Sequence, residues 1–286
     1  MAAKSSVIDH QGGSVGIEIS LFAIFDPVAA MPSLEIHQIP VLSDNYVYLA
    51  HDPDTKATAV VDPAVSGPVL EALDRLGWTL THILNTHHHY DHVGGNLELK
   101  EATGCTIVGN RADARRIPGL DVGVAEGDTV ALGSQSAKVI EVYGHTVGHI
   151  AYWFEDSSAL FCGDTMFALG CGRLFEGTAA QMWSSLSKLR ELPGDTRVYC
   201  AHEYTLANAA FALSVDSDNP ALRDRAEAIR MLRAEKKPTV PSTLAEERAT
   251  NPFLRADSEN LQRAANLPGG DPVAVFAEIR RQKDEF

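Results

Sequence analysis

Within seven residues the chain carries four histidines and an aspartate, Thr86-His87-His88-His89-Tyr90-Asp91-His92, and this run limits the possible folds more than any other stretch. Imidazole nitrogens and carboxylate oxygens are the ligand atoms of divalent metals such as zinc. In His87-x-His89-x-Asp91-His92 the ligand types alternate, so a loop can aim them inward together. Such a loop needs a rigid seat, and Thr81-His82-Ile83-Leu84-Asn85 reads as a buried strand ending at the run. Three later positions share that context, each where an apolar strand gives way to Gly or polar residues: Gly144-His145-Thr146, Gly163-Asp164-Thr165 and Ala201-His202-Glu203. Ligands at the ends of several strands converge on one rim of a sheet. The isolated His10, His37, His51 and His82 receive no role. His88 should point away if His87 and His89 point inward, and His149 suits a hydrogen bond behind a ligand. Glu203, on the opposite face of a strand from its neighbour His202, reads as structural.

Periodicity supplies the scaffold. Residues 34–42, 45–50 and 57–61 suit strands and open an antiparallel sheet. A helix follows over 66–76, with Ser66 as its cap and Val69, Leu70, Leu73 and Leu76 on one face. A second helix runs through Leu97 and Leu99, a strand lies near 106–108, and further strands are expected at 129–132, 137–143, 149–154 and 159–162. A helix over 178–192 and a strand over 196–200 complete the set, so strands interleave with helices as in sheets covered by helices. Beyond His202 the content turns helical, at 208–214, 220–236 and 272–286 with Pro238, Pro241 and Pro268 as punctuation. The expected organisation is therefore an extension over 1–30, a catalytic domain over 31–203 and a small helical domain over 204–286. The extension reads as loosely held or as a misplaced start, because Glu18 and Asp26 interrupt its apolar stretch and Lys4 is its only basic residue before that stretch.

A formal charge of -14 argues against a nucleic-acid surface, which needs clustered Lys and Arg. No apolar run is long enough to cross a bilayer. Cys105, Cys162, Cys171 and Cys200 show no CxxC spacing, and the expectation is four reduced, mostly buried thiols in a cytoplasmic protein.

The ligand run, followed by separate His145, Asp164 and His202, resembles the metallo-β-lactamase superfamily over roughly residues 31–202. More narrowly, the chain is similar to the hydroxyacylglutathione hydrolase, or glyoxalase II, family. The segments that carry this likeness are the run itself, Gly144-His145-Thr146-x-Gly148-His149, Gly163-Asp164-Thr165, Gly170-Cys171-Gly172-Arg173-Leu174-Phe175-Glu176-Gly177, His202-Glu203-Tyr204-Thr205, Asn251-Pro252-Phe253-Leu254-Arg255 and Arg280-Arg281-Gln282-Lys283-Asp284-Glu285-Phe286. The resemblance implies a four-layer αββα sandwich of the α/β (α+β) class with a smaller C-terminal helical domain. It implies two divalent metal ions, zinc first and iron or manganese as options. One takes His87, His89 and His145, the other Asp91, His92 and His202, and Asp164 bridges both. Arg173, Phe175, Tyr204, Arg280 and Lys283 would contact glutathione, the last two meeting its glycine carboxylate.

The implied reaction is hydrolysis of S-D-lactoylglutathione to D-lactate and glutathione, the second step of methylglyoxal detoxification, by a hydroxide bridging the metals. Asp91 and Asp164 would orient that hydroxide. The expected assembly is a monomer. Three positions depart from the family pattern: Tyr143 where proline is common, Arg173 where lysine is frequent and Phe175 where tyrosine is usual. An iron-dependent persulfide dioxygenase on the same fold is the rival reading, separable by metal count. A β-lactamase has no use for the helical tail, a nuclease would need basic charge, and a non-catalytic scaffold would bind metal without turnover.

Overall fold

The computed structural model describes residues 33–286, and the expectation for residues 1–30 lies outside them. The first sheet is built from β1 (Glu35–Val41), β2 (Asn45–His51), β3 (Thr58–Val61), β4 (His82–Leu84), β5 (Thr106–Asn110) and β6 (Val122–Val124). Its first three strands are antiparallel and the rest parallel. The parallel steps need crossovers. These are α1 (Gly67–Leu76) between β3 and β4, and α2 (Tyr90–Val93) with α3 (Asn96–Thr103) between β4 and β5. In α1, Val69, Ala72 and Leu73 are buried and Gly77 closes the helix at φ 68°, a left-handed turn that glycine adopts without steric cost. Ser66 sits at the cap position, but its hydroxyl donates to Glu98 instead of capping the helix.

The second sheet orders β14-β13-β10-β9-β8-β7. Its strands are β7 (Thr129–Leu132), β8 (Gln135–Glu141), β9 (Ile150–Phe154), β10 (Ala159–Gly163), β13 (Arg197–Cys200) and β14 (Ser242–Thr243), while β11 (Met166–Phe167) and β12 (Gly170–Cys171) form a separate hairpin. Exposed and buried positions alternate along β7 and most of β8, which are wet on one face. Strands β9 and β10 are buried throughout, as their unbroken apolar sequences demand. Helix α4 (Ala179–Arg190) covers this sheet, its start fixed by a reciprocal capping box between Thr178 and Gln181.

Two apolar layers result. Val69, Leu73, Ile83, Leu99 and Ile107 pack between the first sheet and its helices. Tyr48, Tyr152, Phe154 and Phe161 fill the space between the sheets, and each such side chain contributes about 1.5–3 kcal/mol on burial. The Tyr48 hydroxyl crosses that space to donate to the Cys200 carbonyl at 2.6 Å. The layers are thus α, β, β and α.

The chain then runs through α5 (Thr205–Val215), α6 (Pro220–Ala234), α7 (Leu244–Thr250), α8 (Glu259–Ala264) and α9 (Pro272–Glu285). Asn219 before Pro220 and Asp271 before Pro272 cap α6 and α9 through their side chains. Leu169, Ala209, Ala212, Leu222, Ala226 and Ile229 form a small core of their own. Val275, Phe276 and Ile279 of α9 instead join the main core, with Phe276 6.3 Å from the Trp183 ring of α4. The described residues form one compact unit. All four cysteines are free and buried. Among the described residues, no helix is long and apolar enough to cross a membrane.

Candidate metal centre

The seven-residue run leaves β4 and passes into α2, so Asp91 and His92 sit on a helical turn and not on an open loop. His145 lies between β8 and β9, Asp164 directly after β10 and His202 two residues after β13. Parallel pairing of β10 with β13 shifts register between Phe161 and Gly163, and Gly163 takes φ 48°. A Cβ there would lie 2.3 Å from the Thr86 hydroxyl and 2.9 Å from the His149 ring. Glycine is therefore required for the bulge that presents Asp164.

The side chains form two sets. His89 Nδ1 lies 3.0 Å from both His87 Nε2 and His145 Nε2. His92 Nε2 is 3.5 Å from Asp91 Oδ2, and His202 Nε2 is 3.5 Å from that same oxygen. Asp164 lies between the sets: Oδ1 is 3.5 Å from His92 and 3.4 Å from His202, whereas Oδ2 is 3.4 Å from His145. Metal–nitrogen bonds of about 2.0–2.1 Å in a tetrahedron hold ligand atoms roughly 3.3 Å apart. The observed spacings match that value. His92 Nε2 and Asp164 Oδ1 are buried with no hydrogen-bond partner, which costs free energy unless something else meets them. The donors thus fit a dinuclear metal site.

Supporting contacts fix each imidazole. Asp62 accepts from Thr86 N at 2.7 Å, from the Thr86 hydroxyl at 2.6 Å and from His92 Nδ1 at 3.1 Å. That hydroxyl also meets His87 Nδ1 at 3.1 Å. Asp62, His87 and His92 are close enough to resemble a third ligand set, but the oxygens of Asp62 are already committed to these donors. His202 Nδ1 is 2.7 Å from Asp44 Oδ1, and His145 Nδ1 donates to the Arg173 carbonyl at 2.9 Å. Asn45 donates to Asp91 Oδ2 at 3.0 Å. His149 Nε2 accepts the Asp164 amide at 3.1 Å, and its ring stacks 4.5 Å from His87. His88 turns outward to Asp113, 3.0 Å away. Arg116 joins Asp113 to Glu176, and Glu176 accepts the Val147 amide at 2.9 Å.

Electrostatics separate the sets. Burial and then the neighbouring His92 and His149 rings hold His87 well below its ordinary value, and burial followed by His145 lowers His89 to about 4. Burial also lowers His145. These imidazoles are neutral, with lone pairs available. Burial would depress His92 too, but Asp164, Asp62 and Asp91 outweigh it and raise His92 to about 9. For Asp164 burial acts upward, yet His92 and His202 hold it far below the carboxylate range.

Beside the centre lies a cavity of ≈ 490 Å³ whose walls include His145, Asp164, Arg173, Phe175, Tyr204, Arg280 and Lys283. Tyr204 stacks on His202 with ring centroids 4.7 Å apart, and Phe175 flanks His145 at 5.2 Å. Arg280 is buried, donating to the Cys171 carbonyl at 3.0 Å and to Asp284 at 2.9 Å. Lys283 lies over the Phe211 and Phe286 rings, 5.3 Å from each. Every predicted site residue thus borders the centre or its cavity. The sequence pattern had not singled out Asp44, Asn45, Asp62 or Asp113. Asp62 alone carried a signal, since it follows the apolar run 57–61 just as the ligands follow theirs.

Of the remaining histidines, His37 meets Arg75, His51 stacks on Trp78 and His82 meets the Thr81 hydroxyl, all outside the centre; His10 is outside the described residues. Glu203 accepts from the Tyr46 hydroxyl at 2.8 Å and from Thr239, which is a structural role.

Comparison with known proteins agrees with this arrangement. The family described as the metallo-beta-lactamase superfamily matches residues 40–202, and the one described as hydroxyacylglutathione hydrolase C-terminus matches residues 203–286. A hydroxyacylglutathione hydrolase of Methylococcus capsulatus is 64% identical over 253 residues, covering 88% of this chain and 99% of that one. One from Rhodospirillum rubrum is 60% identical over 256 residues, covering 90% and 100%. Among solved structures, ETHE1 from Myxococcus xanthus superposes with a TM-score of 0.62 at 28% identity, covering 87% of this chain and 98% of that one.

Proposed function

The chain belongs to the hydroxyacylglutathione hydrolase family of the metallo-β-lactamase superfamily and is a thioester hydrolase, and on that premise we propose how its residues divide the work. The first metal would be held by His87, His89 and His145 and the second by Asp91, His92 and His202, with Asp164 shared. The observation that carries this reading is the Asp164 carboxylate, whose two oxygens face separate ligand sets. When bound, such a pair supplies Lewis acidity and lowers the pKa of coordinated water from nearly 16 to about 7. Zinc suits the imidazole and carboxylate donors best, ahead of iron or manganese.

The substrate is S-D-lactoylglutathione and related 2-hydroxyacylglutathione thioesters. Asp91 and Asp164, which only accept hydrogen bonds when ionised, hold the proton side of the attacking water. Tyr204 and Phe175 wall the reacting carbonyl and limit bulk water. The leaving thiolate has a conjugate-acid pKa near ~8.5 and needs no general acid. Arg173 and Tyr204 contact the glutathione moiety, and Arg280 with Lys283 meets its glycine carboxylate. The separate core around Leu222 and Ile229 supports a division into a catalytic part over 31–203 and a helical, substrate-binding part over 204–286. Four free, buried thiols support a cytoplasmic location, and the reading takes the protein as a monomer.

The test is thioester turnover and metal content on one sample. Two metals per chain with rapid release of D-lactate is the expected result, with His87→Ala losing both. One iron per chain with oxygen uptake, or turnover unaffected by His87→Ala, would replace this reading.

A further inference from the structure

Besides Asp164 of the metal centre, the cavity holds three cations, Arg173, Arg280 and Lys283, and one anion, Asp284. A single oxygen of that anion serves two of the cations: Asp284 Oδ1 is 2.9 Å from Arg280 Nη2 and 3.6 Å from Arg173 Nε. Asp284 lies one helical turn after Arg280 on α9 and is half-exposed, so it can exchange partners without unfolding anything.

Asp284 is not what places Arg280 and Lys283. Arg280 also donates to the Cys171 carbonyl at 3.0 Å and packs 5.0 Å from the Phe253 ring, while its Nε is buried with no partner. Lys283 is held over two rings and lies 3.4 Å from the Ala207 carbonyl. The exposed Arg173, by contrast, has no contact of this kind beside its ion pair with Asp284 among the described residues. Removing Asp284 would leave Arg280 and Lys283 in place. It would also raise the formal charge of the cavity lining from +1 to +2, counting three cations and Asp164 with and without Asp284.

We infer that Asp284 is a resident counter-anion that occupies the cavity's cations and sets how tightly they retain an incoming carboxylate. This deepens the glutathione-thioester reading and rests on it. Substrate and product share the glutathionyl group, so every gain in its binding also slows departure of the free thiol. Binding that is equal in the ground and transition states lowers KM without speeding chemistry. A carboxylate that competes with the ligand keeps that shared affinity in check.

The experiment compares wild type with Asp284→Asn and Asp284→Glu as full-length, metal-replete protein. A partly exposed charge of this kind is worth about two- to fivefold in binding. At low salt, Asp284→Asn is expected to raise kcat/KM for S-D-lactoylglutathione by about two- to fivefold. The inhibition constant of free glutathione falls by the same factor. Asp284→Glu stays near wild type. The differences vanish in about 0.5 M salt, where the screening length is roughly 4 Å, and are absent for the thioester whose glycine carboxylate is amidated. A KM and inhibition constant that rise or stay put in Asp284→Asn would overturn the inference, as would an equal gain on the amidated thioester. Loss of wild-type turnover on glutathione thioesters would instead count against the proposed function.

Discussion

Replacing Asp62 by Asn changes one atom of a buried carboxylate, and its consequence can be followed donor by donor. The wild-type group accepts three bonds, from Thr86 N, the Thr86 hydroxyl and His92 Nδ1. Asn offers one oxygen and one amino group. If the oxygen keeps Thr86 N, the amino group faces both the hydroxyl and His92. The hydroxyl can rotate to accept, whereas His92 has two poor choices. It can keep its proton on Nδ1 with no acceptor, which costs about 1–3 kcal/mol for a buried donor. Or it can move the proton to Nε2 and lose the lone pair that faces Asp91, Asp164 and His202. Either way the second metal set weakens by about 10- to 100-fold, and the first set, touched only through Thr86 and His87, weakens less. A chelator-competition titration at pH 7 should resolve two steps in wild type, and in Asp62→Asn the weaker step should move by that factor. Activity should fall at limiting metal and return with excess metal. Unmoved steps, or activity that excess metal fails to restore, would refute the reasoning.

Other outcomes follow from the same contacts. Gly148→Ala would place a Cβ 2.2–2.4 Å from the Asp113 carboxylate, which His88 and Arg116 hold in place. Overpacking there should cost about 1–3 kcal/mol in urea unfolding and displace the loop that carries His145. Asp52 is raised by burial but lowered further by bonds from Thr55, Ser134 and Asp54, so its folded pKa lies below the unfolded one. Its contribution is present above the unfolded value of ~3.9 and is lost as pH falls towards the folded one. Asp52→Asn should therefore lower Tm by several degrees at pH 7, with the gap to wild type narrowing below about pH 4. Burial pushes Cys171 to about 11 and Cys200 to about 12, so a bulky thiol reagent should leave the native protein unlabelled and find four thiols after denaturation.

The proposed ligands were legible because their signal is local. His87 to His92 form one run, and His145, Asp164 and His202 each follow an apolar strand that ends abruptly. Long strands and periodic helices were legible for the same reason, as with the helix expected over 178–192 and found as α4. The two-residue strands β11, β12 and β14 and the short helices α7 and α8 have no period long enough to read. The partners of the ligands were hidden for another reason. Asp44 reaches His202 across 158 positions and Asp62 reaches His92 across 30, so neither pairing exists until the fold closes. His82, which shares the strand before the run, shows the converse, since proximity in sequence gives it no part in the centre.

The order of strands has a consequence for how such a protein is made. The first sheet uses strands β1 to β6 and the second uses β7 to β10 with β13 and β14, so the chain leaving the ribosome completes one layer before the other begins. The early layer supplies His87, His89, Asp91 and His92, and the later one His145, Asp164 and His202. A nascent chain that ends with β6 holds neither proposed triad complete. On the proposed ligand sets, metal capture at full affinity would await the second sheet, and the ions would act as a seal on a folded scaffold and not as its nucleus.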